Sequence, residues 1–480
     1  MSKFELSSEV DSEKCFILNR SEIETRLDPF FYIPSIKKLE EQVKSKGSIP
    51  LRKFVEKISS GATPKTAEKE KYYSDEENGI PFLRVQNLSP TGFLEIDNCK
   101  YINKETHNNY LRRSQVNGGD LLVKITGVGR MAVASVAPDD FVGNTNQHMV
   151  VIKTKDKNTS HILASYLNSE IGEKLASRRA TGGTRPALDY PALLSIPIIY
   201  DERILEIHND AIAKKQQKEQ EAKELLDSID DYLLDELGIT LPEVDNSLEK
   251  RIFEVNFSEI SGNRFDPDYY SYSYEVITDA IEKANIENID EIASVVSIIE
   301  SGKTPASNEY SEEVTKFPII KAGSYTNEYI DLNKLDYTKT KNNLEVEKGD
   351  IFILSAAHQS QYVGKQIKIL NDEVDKQISY VGELICIRTI KEACNPMYLF
   401  SLLNLDLFKT LLNREKTGQT SHIYGKDIKK IKIPLPPIEK QNEIAEHIQA
   451  IRDKAKQLQD EAKKVLDEAK IEVEKLILSN

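Results

Sequence analysis

Towards the end of the chain the apolar positions keep one rhythm for more than thirty residues. After Pro434-Leu435-Pro436-Pro437 they fall at Ile444, Ile448, Ile451, Ala455, Leu458, Ala462, Val465, Ala469, Val473 and Leu476. These positions are almost entirely four, three, four, three apart, with charged flanks, which predicts a long helix with a coiled-coil seam. A weaker counterpart runs through Ile204, Ile207, Ala211, Ala222, Leu225, Ile229 and Leu233, interrupted by the polar run KKQQKEQE from Lys214. Ahead of each helix the pattern changes to short β-branched runs bounded by Gly, Pro, Asn and Asp. IPFLRVQNL at Ile80, DLLVKITG at Asp120, MAVASVA at Met131 and HMVVIKT at His148 predict strands, and so do FPIIKAG at Phe317, DIFILSAA at Asp350, KQIKIL at Lys365 and ELICIRT at Glu383. Short helices are expected from Ser165 to Arg179 and from Met397 to Asn413. Strict strand-helix-strand alternation is absent, so each half reads as a mixed globule with a mainly antiparallel or irregular sheet.

The two patterned halves are copies of one another. SEI at Ser21 recurs at Ser258, RLDPFFY at Arg26 recurs as RFDPDYY at Arg264, and Ile196-Pro197 recurs as Ile433-Pro434, each displaced by 237 or 238 residues. SGATP at Ser60 matches SGKTP at Ser301, GDLLV at Gly119 matches GDIFI at Gly349, and ATGGT at Ala180 matches KTGQT at Lys416. Landmarks spread across a unit and shifted together define an internal repeat. The expected organisation is a first module over 1–198, a first spacer helix and linker over 199–248, a second module over 249–435 and a second spacer helix over 436–480. Gly238, Pro242 and Asn246 mark the linker. An amphipathic helix needs a partner in water. The most available partner is the other helix, and a pseudo-twofold arrangement of the modules makes the pair antiparallel; a seam joining separate copies of the chain is the alternative. The fold class expected is therefore α+β.

Composition narrows the picture. A hydrophobic share of 39% with 30% charged residues, and no uncharged run long enough to span a bilayer, describes a globular protein without a membrane helix. The beginning, MSKFELSSEVDSEK, lacks a basic end followed by an apolar stretch, so a cytoplasmic location is expected. Cys15, Cys99, Cys386 and Cys394 form no paired spacing and offer no thiolate zinc site.

The net charge of −14 argues against indiscriminate coating of nucleic acid. Local charge differs. Lys174 to Pro186 carries Lys174, Arg178, Arg179 and Arg185 with no acid, and Lys409 to Lys432 sets seven cations against Glu415 and Asp427. Basic runs are commonly solvated faces, but these two occupy matching places in the copies, each beside a Gly-Thr turn, and that recurrence favours phosphate contact.

Catalytic signatures are missing from the sequence. There is no phosphate-binding GxxxxGK[ST], HExxH or GxSxG, GVGR at Gly127 reads as a tight turn, and the seven histidines are dispersed. RLDPFFY and RFDPDYY approach the active-site tetrapeptide of amino-group DNA methyltransferases but lack its second proline. Their recurrence at each module start favours a structural task. Neither a cofactor nor a metal is expected.

Together, RLDPFFY and RFDPDYY, ISSGATP at Ile58, IESGKTP at Ile299, GGDLLVKITGVGRMAV at Gly118, TGGTRPALDYPALLSIPI at Thr181 and TGQTSHIYGKDIKKIKIPLPPIEKQNEIAEHI at Thr417 resemble the specificity subunit of type I restriction-modification systems over essentially the full length. Copy one departs from the last motif, with IPIIYDERILEI at Ile196. The resemblance implies two target recognition domains held apart by long antiparallel helices, each reading half of a split site on double-stranded DNA. It implies no catalytic centre, two partner modification (methyltransferase) subunits, and restriction subunits that translocate and cleave. A coiled-coil scaffold bridging two protein partners without DNA is the competing reading.

Direct readout needs side chains that match base edges. In copy one the candidates are Arg84, Gln86 and Asn87, then Lys124, Thr126 and Arg130, then Asn144, Asn146, Gln147 and His148. In copy two they are Lys321, Ser324, Tyr325, His358, Gln359, Gln361, Tyr362 and Lys365. The basic Gly-Thr segments, with Arg178, Arg179, Thr181, Thr184 and Arg185 in the first and Lys416, Thr417, Gln419, Thr420 and His422 in the second, are expected to fix the modules on phosphate.

Overall fold

The computed structural model describes residues 6–7, 9–24, 26–241, 247–260, 264–284, 286, 288–325, 328–341, 344–357, 359–374, 377–418 and 421–479. The chain forms two compact units, one of Met1–Gln220 with Leu458–Asn480 and one of Glu221–Gln457. Each unit takes part of each long helix, Arg203–Glu236 and Ile438–Ser479.

In the first unit an antiparallel sheet is ordered Lys57–Ser60, Met149–Lys153, Leu121–Lys124, Ala134–Val136. In the second unit the same order returns as Val296–Ser301, Leu384–Thr389, Ile351–Leu354, Ile367–Ile369. The central strands Leu121–Lys124 and Ile351–Leu354 are buried at every position, apolar throughout except for Lys124 at the end of the first. A further sheet in each unit contains one parallel pairing, Phe82 to Asn144 in the first and Ile319 to Ser379 in the second. A two-stranded ribbon, Ile49–Pro50 with Pro197–Ile198, has its counterpart in Ile289–Glu291 with Lys432–Pro434. The Tyr166 hydroxyl donates to the Pro197 carbonyl at 2.9 Å and that of Tyr398 to Pro434 at 2.7 Å, so the repeated Ile-Pro is fastened alike in both copies.

Two expected helices are each divided. Ser169 separates Lys157–Asn168 from Glu170–Arg179 because its hydroxyl accepts from the Gly172 amide and caps a new helix, and Leu405 separates Pro396–Asn404 from Asp406–Arg414. Both long helices are present, and the polar run at Lys214 does not break the first.

Within the first unit Ile204 shares a core with Val473 and Ile477, and Lys218 meets Glu461 at 2.6 Å. Within the second unit Ile229 and Leu233 share a core with Ile444 and Ile448. There Tyr232 packs on His447 with ring centroids 4.3 Å apart, and Glu236 meets Lys440 at 2.6 Å, so these helix portions run antiparallel. The buried stripe departs from the expected seam at Leu466 and Ile477, which are buried where Val465 and Leu476 are only partly so. Ile444, Ala455, Leu466 and Ile477 are spaced by eleven residues, about 3.67 per turn, rather than the 3.5 of a heptad seam. No helix among the described residues is long and apolar enough to cross a membrane.

Candidate nucleic-acid interface

Each copy begins with the same clasp. Arg26 donates from Nε to Asp28, from Nη1 to the Arg179 carbonyl at 2.8 Å and from Nη2 to the Ala180 carbonyl at 2.9 Å, while the Tyr32 hydroxyl donates to the Arg26 carbonyl. In copy two Arg264 pairs with Asp266 and donates to the carbonyls of Arg414 and Lys416, and the Tyr270 hydroxyl donates to the Arg264 carbonyl. The task of RLDPFFY and RFDPDYY is thus to hold the segment that leads into the Gly-Thr turn.

The Gly-Thr turn is itself stapled twice. Thr181 and Ala187 exchange backbone hydrogen bonds of 2.8 Å, and Ala187 also bridges Thr126 at the end of the central strand. Thr417 and His422 exchange bonds of 2.9 Å, and His422 bridges Ala356 at the end of the equivalent strand. Gly182 and Gly418 turn the chain with φ of +97° and +84°, where a side chain is unfavourable. In each copy the two loops form one rim.

On the first rim Thr181, Thr184, Arg185 and Gln147 are exposed, while His148 and Thr126 are half-buried; Gln86 is exposed on the turn Val85–Asn87. Arg185 Nη2 lies 3.4 Å from His148 Nε2, and Gln147 Nε2 lies 3.3 Å from the same atom. Burial, with the charge of Arg185 second, lowers the His148 pKa, leaving a neutral ring able to accept or donate.

On the second rim Gln359, Gln361, Tyr362 and Lys365 are exposed around a turn at Ser360–Tyr362, and Thr417 and His422 are half-buried. Lys416 donates to the Ser360 carbonyl at 3.0 Å, and its pKa is lowered by burial and then by Lys365. His358, Gln419 and Thr420 lie outside the described residues.

Several expected contact residues are internal. Arg178 and Arg179, 6% and 7% exposed, close on Glu40, itself 3% exposed. Arg179 reaches it at 2.8 and 3.1 Å, Arg178 bonds the Oε2 atom, and Lys44 joins at 2.7 Å. Burial pushes the Glu40 carboxyl up, but the hydrogen bonds and charge of Arg179, with Lys44 and Arg178, hold it at about 2. These two arginines are structural counter-ions and cannot reach phosphate.

Asn87 is buried, caps its own turn by accepting from the Arg84 amide and donates to the Glu95 carbonyl. Asn144 is buried between His107 and the Leu111 carbonyl, and buried Asn146 accepts from the His148 amide. Buried Lys124 donates to the Val128 carbonyl and shapes the Gly127–Gly129 turn, its pKa lowered by burial. Ser324 accepts from the Lys321 amide out of contact with solvent. All five belong to the frame.

Arg130 is tied to the carbonyls of Asn168 and Ser169 and to Glu170, and Lys321 sits over the Tyr310 ring at 4.1 Å and pairs with Asp336. Arg84 is half-buried, and the Tyr325 hydroxyl is buried with its pKa raised. Sequence reasoning missed Thr63, whose hydroxyl donates to Gln147 at 2.6 Å, and its counterpart Thr304, which donates to Glu383 at 2.9 Å. The signal was the twice-written SGxTP.

Residues 283–467 match the family model described as Type I restriction modification DNA specificity domain. The matched stretch covers most of the second copy and runs into the helix that follows it, and what it resembles is that DNA specificity domain. A Methanocaldococcus jannaschii protein named "Putative type I restriction enzyme MjaX specificity subunit" is 26% identical over 166 residues, covering 33% of this chain and 37% of the relative, so the alignment spans little more than a third of that protein. Among solved structures, the type I restriction-modification S subunit from M. genitalium is 15% identical over 88% of this chain and 94% of its own, with a TM-score of 0.36. The HsdS subunit from Thermoanaerobacter tengcongensis is 16% identical over 90% and 95%, with a TM-score of 0.33.

Proposed function

We propose that this chain is the DNA-reading specificity subunit of a type I restriction-modification complex, acting in the cytoplasm without a catalytic centre of its own. Each recognition domain, 1–198 and 249–435, reads one half of a split double-stranded site. The helical segments 199–248 and 436–480 pair as an antiparallel coil and fix the unread interval. Two modification subunits supply methylation, and restriction subunits supply translocation and cleavage. The observation that carries this reading is the rim built twice on equivalent staples. Both rims place a Gly-Thr turn beside amide, imidazole or ammonium groups, with Arg185 and Lys416 as the adjoining cations. A mobile cation contacts phosphate, and amide and imidazole groups match base edges.

Exchanging residues 50–195 for the same region of a relative tests it. Methylome sequencing of a strain carrying the chimera with its partner subunits should show one half-site changed and the other half and the interval retained. A chimera that alters both halves together would overturn the two-domain reading.

A further inference from the structure

The two SGxTP loops put the same threonine against different partners. Gly61 and Gly302 let each loop press on a neighbouring strand, since a Cβ would stand 1.6 Å from the Thr145 carbonyl oxygen in the first copy and 2.2 Å from that of Val381 in the second. Two residues beyond each glycine, Thr63 donates to Gln147 Oε1 at 2.6 Å and Thr304 donates to Glu383 Oε2 at 2.9 Å. Thr304 is held in turn by the Gly382 amide at 2.9 Å. Glu383 is fixed at its backbone too, where its carbonyl accepts from the amide and hydroxyl of Ser355 at 2.8 and 3.0 Å. Ser355 precedes Ala356, which bridges to His422, so Glu383 stands on the second rim. Both Gln147 and Glu383 are exposed.

This arrangement differs in chemistry between the copies. An amide can donate as well as accept, whereas an ionised carboxylate only accepts. A carboxylate facing DNA is repelled by phosphate and by carbonyl edges, and becomes favourable only where an amino group meets it. In the major groove cytosine offers its N4 amino group and adenine its N6 amino group, while guanine and thymine present oxygen acceptors at the corresponding edge.

We infer that Glu383 is a specificity-determining residue of the second unit, reading one exocyclic amino group in its half-site, and that Thr304 is the positioning residue that holds the carboxylate towards the base. This rests on the DNA-reading proposal above. At that position cytosine or adenine is accepted on the contacted strand, and guanine and thymine are excluded by roughly 5- to 150-fold. The first unit carries no such exclusion at Gln147, because its amide meets donors and acceptors alike.

The test uses the full chain co-purified with its methyltransferase partners and a library of randomised duplex DNA, with the bound fraction sequenced. Wild type should enrich a split site in which one position of one half admits only cytosine or adenine. Glu383→Gln should lift that exclusion and leave the other half unchanged. Thr304→Val should weaken it, and Thr304→Ser, which keeps the hydroxyl, should restore it; a merely structural role for Thr304 would leave the base preference unmoved in both. A Glu383→Gln complex that enriches the wild-type site with the same base ratios overturns the assignment of Glu383 while DNA reading stands. A wild-type complex that enriches no sequence overturns both.

Discussion

Replacing Glu40 with alanine isolates the energetics of the first unit's internal ion cluster. The carboxylate is 3% exposed and takes bonds from Arg178, Arg179 and Lys44. Removing it leaves two guanidinium groups buried without compensation, and breaking a buried pair in this way costs about 3–5 kcal/mol. A second route gives a similar figure. The carboxyl is held at about 2 against an ordinary 4.5, and a difference of about 2.5 units corresponds to about 3 kcal/mol. Because the folded-state value is the depressed one, this stabilisation is complete above pH 4.5 and is lost as the pH falls from 4.5 towards 2. A loss of about 3 kcal/mol lowers the melting temperature of a unit of this size by roughly 6–12 °C. The chain has no tryptophan, so circular dichroism is the suitable probe of melting, and hydrogen exchange at 34–45 and 170–179 reports the first unit alone. A cost below about 1 kcal/mol in Glu40→Ala would refute the buried-cluster account and reopen phosphate contact for Arg178 and Arg179.

Exposed Arg185 should behave in the opposite way: Arg185→Ala is expected to keep the melting temperature, weaken binding to all DNA sequences alike and reduce the slope of log affinity against log salt by about 1, as measured by titration over a salt series. His208 is buried, with Nε2 unpartnered and its ring 5.5 Å from His161. Burial, then the charge of His161, lowers its pKa to about 4 from 6.5. Its folded-state value is depressed, so the stability it contributes is complete above pH 6.5 and lost as the pH falls from 6.5 towards 4; His208→Leu should flatten the stability curve over that window in urea titrations.

The frame of this protein was legible because it depends on patterns that a sequence records. β-branched runs marked the four strands at Ile80, Leu121, Ala134 and Met149 and their counterparts, and repeated fragments marked the clasp and the staples. The interface was less legible because the same residue types serve frame and surface. Asn87 and Asn144 have the chemistry to read adenine, yet both cap or brace backbone groups, and nothing local separates these uses. Arg178 and Arg179 offered one usable clue. Ile36, Leu39, Glu40 and Val43 follow the spacing of a buried helix face, and an acid on such a face requires a cation nearby. The drift of the long helix from Val465 to Leu466 was hidden because both residues are apolar and adjacent.

In each copy the clasp arginine reaches across to main-chain oxygens, those of Arg179 and Ala180 in one case and of Arg414 and Lys416 in the other. A guanidinium bound to carbonyls is indifferent to the side chains those residues bear. The loop that follows can therefore be rewritten without loosening its anchor, and the two copies illustrate this, with Thr-Gly-Gly-Thr after one clasp and Thr-Gly-Gln-Thr after the other. Each unit thus carries its exposed turn on a fastening that does not read the turn's own letters, and those letters are free to drift while the anchor is inherited unchanged.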